Sequence, residues 1–165
     1  YGANFYSIMP CNLYGPGDNF DLKTSHVLPA LINKIHLAKE SGASSVEVWG
    51  TGKPLREFLY VGDLAEAVVH CMEKINAIDI YEKNISHLNC GSEDEDSILE
   101  LTRAVRSCVE YSGEIRFDPS KPDGTFRKKM DNSRIFDMGF SPTTPLQAGI
   151  EKTYAWYVKN TAPTL

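Results

Sequence analysis

Two kinds of side chain in this sequence are equipped for chemistry, and they fall in separate stretches. The first stretch is Asn12-Leu-Tyr-Gly-Pro-Gly-Asp-Asn-Phe20, followed shortly by Ser25-His26-Val27. It sets a single histidine beside a Gly/Pro loop, and histidine as a residue type exchanges protons near neutral pH. The second kind is cationic. Arg56 sits in Pro54-Leu-Arg-Glu-Phe58, and Lys121-Pro-Asp-Gly-Thr-Phe-Arg-Lys-Lys129 combines four basic residues with one acid. A guanidinium grips phosphate oxygens bidentately, so these stretches suit a phosphorylated ligand. Trp49 offers a flat aromatic face at the end of a strand-like run, and Lys34 follows His26 by two turns of a predicted helix. Each residue also has a plainer reading. Pro-Gly marks ordinary turns, a helix-start histidine can serve local hydrogen bonds, and Arg56 beside Glu57 can be a surface charge. Trp49 can be an edge aromatic, Lys34 an exposed helix lysine, and the basic loop simply solvated.

Periodicity predicts the elements that must hold these residues. Residues 4–11 are apolar enough for a buried strand that ends in the Gly/Pro loop. Residues 25–40 place Leu28, Leu31, Ile32, Ile35 and Leu37 at helical spacing, and Pro29 is tolerated because it lies in the first turn. Ser44–Trp49 alternates as a strand, Gly50-Thr-Gly52 turns the chain, and Arg56–Val61 is a further strand. Asp63 is the expected N-cap of a helix that turns Leu64, Ala67, Val68, Cys71, Met72 and Ile75 inward. Ser86–Cys90 predicts a strand leading into the acidic patch Glu93–Asp96, a solvated helix start matched to the dipole. Asp96 would cap a helix with Ile98, Leu101, Val105, Cys108 and Val109 inside. Ile115–Phe117 predicts a strand, 118–130 a polar basic loop, and Ser133–Met138 a short helix. Thr144, Pro145 and Gln147 spell a capping box for the last helix, whose inner face would be Leu146, Ile150, Tyr154, Tyr157 and Val158. Strands alternating with helices indicate an α/β architecture. The pattern is short for a whole doubly wound domain and starts in a strand without methionine, so a piece of a larger fold is expected.

Composition narrows the classes. The 165 residues suffice for one domain with a real core, and 42% hydrophobic with 24% charged residues is ordinary for a globular chain. A net charge of -5 gives no basic footprint for nucleic acid. No apolar run approaches the ~20 residues of a membrane span, and no signal-peptide pattern opens the sequence. Cys11, Cys71, Cys90 and Cys108 form no Cys-x-x-Cys pair. They are expected to be free thiols in a reducing compartment rather than zinc ligands, and His87 with Cys90 is only a weak metal signal.

Two long motifs, Asn12-Leu-Tyr-Gly-Pro-Gly-Asp-Asn19 and Trp49-Gly-Thr-Gly-Lys-Pro-Leu-Arg-Glu-Phe-Leu-Tyr-Val-Gly-Asp63, resemble the C-terminal half of the extended short-chain dehydrogenase/reductase family of nucleotide-sugar enzymes. Ser25-His26-Val-Leu-Pro-Ala-Leu31, Trp49 and Ser120-Lys-Pro-Asp-Gly-Thr-Phe-Arg-Lys-Lys-Met-Asp131 narrow the resemblance to the NADPH-dependent branch that epimerises and reduces a GDP-linked 4-keto-6-deoxyhexose. The likeness runs from Tyr1 to about Tyr157. It implies the C-terminal part of a Rossmann-like protein, comprising its last core strands and its smaller substrate-binding domain over residues 1–165. The dinucleotide-binding N-terminal half would be absent.

The resemblance also implies roles. Asn12, Leu13, Tyr14, Gly15 and His26 would line the nicotinamide end of NADPH. His26 would be the general acid of epimerisation, paired with a cysteine base from the other half. Lys34, Trp49, Arg56, Glu114, Asp123 and Lys128 would contact the GDP-sugar, with Trp49 stacking on guanine and Arg56 and Lys128 on the diphosphate. A cytoplasmic enzyme, homodimeric at full length, is implied. The sequence contains neither Gly-x-x-Gly-x-x-Gly nor Gly-x-Gly-x-x-Gly, and no Tyr-x-x-x-Lys. This chain by itself is therefore expected to be inactive. A sibling dehydratase or 4-epimerase and a non-catalytic nucleotide-sugar-binding module remain open beside the epimerase/reductase reading.

Overall fold

The computed structural model describes residues 3–161; Tyr1, where the resemblance begins, lies outside them. In chain order the elements are β1 (Ser7–Pro10), β2 (Asn12–Tyr14), α1 (Val27–Glu40), β3 (Ser45–Trp49), β4 (Leu55–Arg56) and β5 (Phe58–Tyr60). Then come α2 (Val61–Lys74), α3 (Ala77–Tyr81), β6 (His87–Cys90), β7 (Asp96–Ser97), α4 (Ile98–Val109), β8 (Glu114–Asp118), β9 (Arg127–Lys128), α5 (Ser133–Asp137) and α6 (Leu146–Asn160). The architecture is α/β with mainly parallel pairing.

β1 and β2 are one extended run that changes partner at Cys11. β1 lies parallel to β6, with Ser7 opposite His87 and Pro10 opposite Cys90. After Cys11 N donates to Cys90 O at 3.0 Å, β2 lies parallel to β5, with Asn12 opposite Phe58 and Tyr14 opposite Tyr60. The expected strand thus extends through Tyr14, and the loop begins at Gly15 rather than at Asn12. β3 is parallel to β8, Ser45 facing Glu114 and Trp49 facing Asp118. β4 is antiparallel to β7 and parallel to β9.

Successive strand residues point to opposite faces, and here each face has its own core. Tyr14 and Phe58 join Leu28, Ile32, Ile35, Val46, Val48, Leu101, Val105 and Ile150 between α1, α4 and α6. Leu59, with Leu13 against it, joins Ala67, Cys71, Ile80, Leu88 and Ile135 on the other side. The β2–β5 pair is the floor shared by both cores.

Several helix starts differ from expectation. α2 begins at Val61, inside the predicted strand, with Tyr60 as N-cap, and Asp63 is buried instead of capping. The Asp63 carboxylate accepts from Thr144 N at 3.0 Å and Thr144 Oγ1 at 2.8 Å. Two predicted caps of different helices therefore bond to each other, and α6 starts one residue late with Pro145 as N-cap. The Gln147 amide donates to Glu151 Oε1 rather than completing a capping box. Ser97, not Asp96, caps α4 in a full capping box with Glu100. On α2 the apolar stripe is wider than the surface it covers, so Ala67, Cys71 and Ile75 are buried while Val68 and Met72 face outward. Val158 is likewise exposed, and Thr153 takes the inner place. On α1, His36 is buried where Leu37 was expected.

Candidate functional site

Two clefts flank the start of α1. The first, about 460 Å³, is walled by Cys11 to Asp18, His26 and Val61. Its shape comes from a tight turn. Asp18 N bonds Gly15 O at 3.3 Å, Pro16 fills the second position, and Gly17 in the third has φ 82°, the left-handed value that a type II turn requires there. A Cβ on Gly15 would collide with Val61, so the loop sits hard against the start of α2; at Gly17 a Cβ would meet nothing within 4 Å. Asn12, Leu13, Tyr14, Gly15 and His26 all line this cleft. Tyr14 contributes backbone, since its ring is 2% exposed in the core beneath. The Asn12 amide is engaged, donating from Nδ2 to Glu57 O at 2.7 Å.

His26 is the N-cap residue of α1, yet its side chain makes no capping bond. The imidazole is exposed and lines the cleft. The loop that carries it is pinned. Asp21 Oδ1 accepts from Lys23 N, Thr24 N and Thr24 Oγ1, each at 3.0 Å, which holds the Asp21 carboxyl below its usual range. Asn33 on α1 donates from Nδ2 to Phe20 O at 2.6 Å.

The second cleft, about 300 Å³, has Ser25, Val27, Lys34, Val48, Trp49 and Ile98 among its walls. Ser25 and Val27 thus face one cleft while His26 between them faces the other. Trp49 is 64% exposed, with Lys121 Nζ 5.7 Å from its ring centroid, a cation–π distance. Lys34 Nζ is used locally, donating to Glu47 O at 2.9 Å.

The cationic residues sort by strand alternation. In β9 and the residue after it, Arg127 and Lys129 both turn to Glu95. Arg127 Nη2 stands 2.5 Å and Lys129 Nζ 3.9 Å from Glu95 Oε2, and Arg127 holds that carboxyl below its usual range. The acidic patch is therefore tied to the basic loop rather than merely solvated. Lys128 points the other way, opposite Arg56 in register. Arg56 bonds its neighbour Leu55 O through Nη1 at 2.7 Å; it is not paired with Glu57, which is fully buried. Asp123 joins the loop to the Gly50–Gly52 turn by accepting from Thr51 N at 2.6 Å and Thr51 Oγ1 at 2.7 Å. The Thr51 hydroxyl and then its N–H hold the Asp123 carboxyl below the usual range. Glu114 stands apart. It begins β8 at the end of the β3–β8 pair away from Trp49, and its carboxylate is held by Arg116 at 2.7 Å.

Glu57 was missed by the sequence reading. It occupies the corner where the chain leaves the β4 sheet for the β2–β5 pair, and charge next to Arg56 reads as surface. Its carboxylate accepts from Met130 N at 3.0 Å and Asn132 Nδ2 at 2.5 Å. Burial pushes its pKa up, against the pull of those donors. Burial first, and then the Glu57 carboxylate, push the neighbouring Cys11 thiol up to about 12. Cys11 lines the first cleft but is no thiolate at neutral pH, so it is not a nucleophile there. Among the described residues no group of three or more His, Cys, Asp or Glu could hold a metal, and no helix is long and apolar enough to cross a membrane.

The chain is similar to known proteins. A probable GDP-L-fucose synthase of Oryza sativa subsp. japonica is 50% identical over 160 residues, 97% of this chain and 47% of that protein. A GDP-L-fucose synthase of Escherichia coli strain K12 is 43% identical over 162 residues, 97% of this chain and 50% of that protein. The chain thus spans about half the length of the curated relatives it matches. A solved GDP-L-fucose synthetase from Naegleria fowleri, with NADP bound, superposes with a TM-score of 0.83 at 34% identity, over 96% of this chain and 48% of that one. The family model described as NAD dependent epimerase/dehydratase matches residues 1–91, which include the whole first cleft, Trp49 and Arg56. The chain belongs to the NAD-dependent epimerase/dehydratase family.

Proposed function

We propose that this chain is the substrate-binding part of a GDP-L-fucose synthase, which converts GDP-4-keto-6-deoxy-D-mannose by 3,5-epimerisation and then NADPH-dependent reduction of the 4-keto group. The observation that carries the reading is the position of His26 on the partition between two clefts. A proton donor there reaches a sugar whose nucleotide lies on one side and whose cofactor lies on the other. The relatives named GDP-L-fucose synthase support the same substrate class.

The first cleft fits the nicotinamide end of NADP. Its wall is backbone from Asn12 to Gly15, and Gly17 leaves the turn open to close approach. When bound, the cofactor supplies the hydride for the 4-keto reduction. The residues of this chain do the rest of what is proposed for it. Lys128 and Arg56, side by side, grip the diphosphate. Trp49 offers its face to the guanine, and Lys34 and Asp123 hold the walls that frame it. His26 returns a proton to the sugar face opposite the one from which a base of the N-terminal half removes it, which inverts the carbon beside the ketone. Glu114, away from both clefts, is proposed to contact substrate only if the full-length protein extends the site along β8. The full-length enzyme is proposed to be a cytoplasmic homodimer. The chain by itself is proposed to bind GDP without turnover, because its sequence lacks a Tyr-x-x-x-Lys.

Two measurements test this. Calorimetric titration of GDP into the chain should show one saturable site; no heat of binding would overturn the reading. In a protein completed with the N-terminal half, His26→Asn should slow epimerisation by roughly 10²–10⁴-fold while GDP affinity stays within about twofold. Undiminished epimerisation would point to a sibling enzyme of the family.

A further inference from the structure

Glu57 is a carboxylate with 0% exposure and, among the described residues, no ion-pair partner. A carboxylate removed from water without a cation is costly unless hydrogen bonds hold it, so what it holds is informative. Met130 N and Asn132 Nδ2 are its donors, and both terminate the loop that carries Lys128. Residues 121–129 are all exposed, so apolar burial does not fix that loop. Beyond the short β4–β9 backbone pairing and Leu55 N to Phe126 O at 2.9 Å, side chains tie it down: Asp123 to Thr51, Arg127 and Lys129 to the Glu93–Glu95 patch, and Glu57 to Met130 and Asn132. The Asp123 and Glu93–Glu95 ties lie at the surface, where water and salt weaken them. Of these side-chain ties, the Glu57–Asn132 bond is buried and the Glu57–Met130 bond partly so. Gly91 keeps room for them, since a Cβ there would collide with Glu57 Oε1. The backbone of the same residue accepts Asn12 Nδ2 at 2.7 Å, so Glu57 touches the cofactor-side strand and the nucleotide-side loop at once.

We infer that Glu57 is a positioning residue: its buried carboxylate latches the end of the 121–132 loop and thereby sets Lys128 beside Arg56 for the nucleotide diphosphate. The inference rests on the nucleotide reading of that cation pair. Glu57 touches no ligand itself; it acts through Met130 and the short reach from there to Lys128.

The test is a double-mutant cycle on the chain, with GDP as probe, joined to amide hydrogen exchange. Glu57→Gln keeps the shape but turns one acceptor into a donor facing donors. It should speed exchange across 121–130 by about tenfold or more while β3 and β8 stay protected, and weaken GDP binding about tenfold. Lys128→Met should weaken binding similarly, and the double variant should bind no more weakly than Lys128→Met alone, because the latch works only through that lysine. Asn132→Ala, which removes one donor and leaves the carboxylate, should give the same changes in smaller measure and stands in if Glu57→Gln does not fold. Parent-like exchange in 121–130, or losses of affinity that add, would overturn the latch. Parent-like GDP binding by Lys128→Met would overturn the nucleotide reading, and the latch's role with it.

Discussion

The cleft at His26 and the loop at Lys128 serve one proposed ligand but are built in opposite ways. The cleft is a rim on two cores. Tyr14 and Phe58 anchor its floor below, α1 delivers His26 from a fully buried face, and the turn is fixed by glycine geometry. The loop buries almost nothing and depends on a handful of polar contacts. Damage to the first should therefore appear as lost fold, and damage to the second as lost affinity in an intact fold.

The sharpest test of that contrast is in the core. Ile32 is 0% exposed beneath the first turns of α1. Ile32→Ala should cost about 2–5 kcal/mol, lower Tm, and carry the His26 cleft with it; a variant that keeps its Tm would break the distinction. Arg56→Met should do the reverse. Losing one charge-assisted grip should weaken GDP binding by roughly 10–100-fold with Tm within about 2 °C of the parent, measured by calorimetry and thermal denaturation. Thr144→Val tests the seam between the two cores. It removes the hydroxyl from Asp63 Oδ1 and leaves the backbone donor on Oδ2, so stability should fall by about 0.5–1.5 kcal/mol in urea unfolding.

The smallest effect is a titration in the loop. Asp123 is held below the 3.8 of an ordinary aspartate by Thr51. Its tie is therefore fully present above that value and is released as pH falls through the lower folded one. Glu57 has the opposite sign. Burial raises its pKa, so the cost of its buried charge grows as pH rises through the folded value, while Met130 N and Asn132 Nδ2 hold the ionised form. Acid should thus free the Asp123 end of the loop first, and the Thr51 amide signal in NMR should titrate with a midpoint below 3.8. A midpoint at or above it would place the loop's anchor elsewhere.

Most of this frame was legible in the residues. The inner faces of α1 and α4 and the strand at Ser45–Trp49 follow from local pattern, because burial there obeys helical and strand periods. What was not legible is where polar side chains abandon local roles for distant ones. Asp63 and Thr144 each carry a valid capping signature, and each spends its oxygen on the other across 81 positions of sequence. Glu57 reads as the neighbour of a surface arginine, whereas the chain turns a corner there and drives it inward. The face of α2 failed for a different reason: its apolar residues outnumber those its packing surface can cover.

The change of partner at Cys11 has a consequence for how the chain comes to be folded. β1 waits for residues 87–90, β2 for 58–60, and β3 for 114–118. Each pairing closes a long loop before it is rewarded, which is the contact pattern of slow folders. In order of synthesis, residues 58–60 precede 87–90, so β2 can find its partner before β1 finds its own. The two halves of one extended run are thus completed at different times, and the run stays half-paired until residues 87–90 are in place.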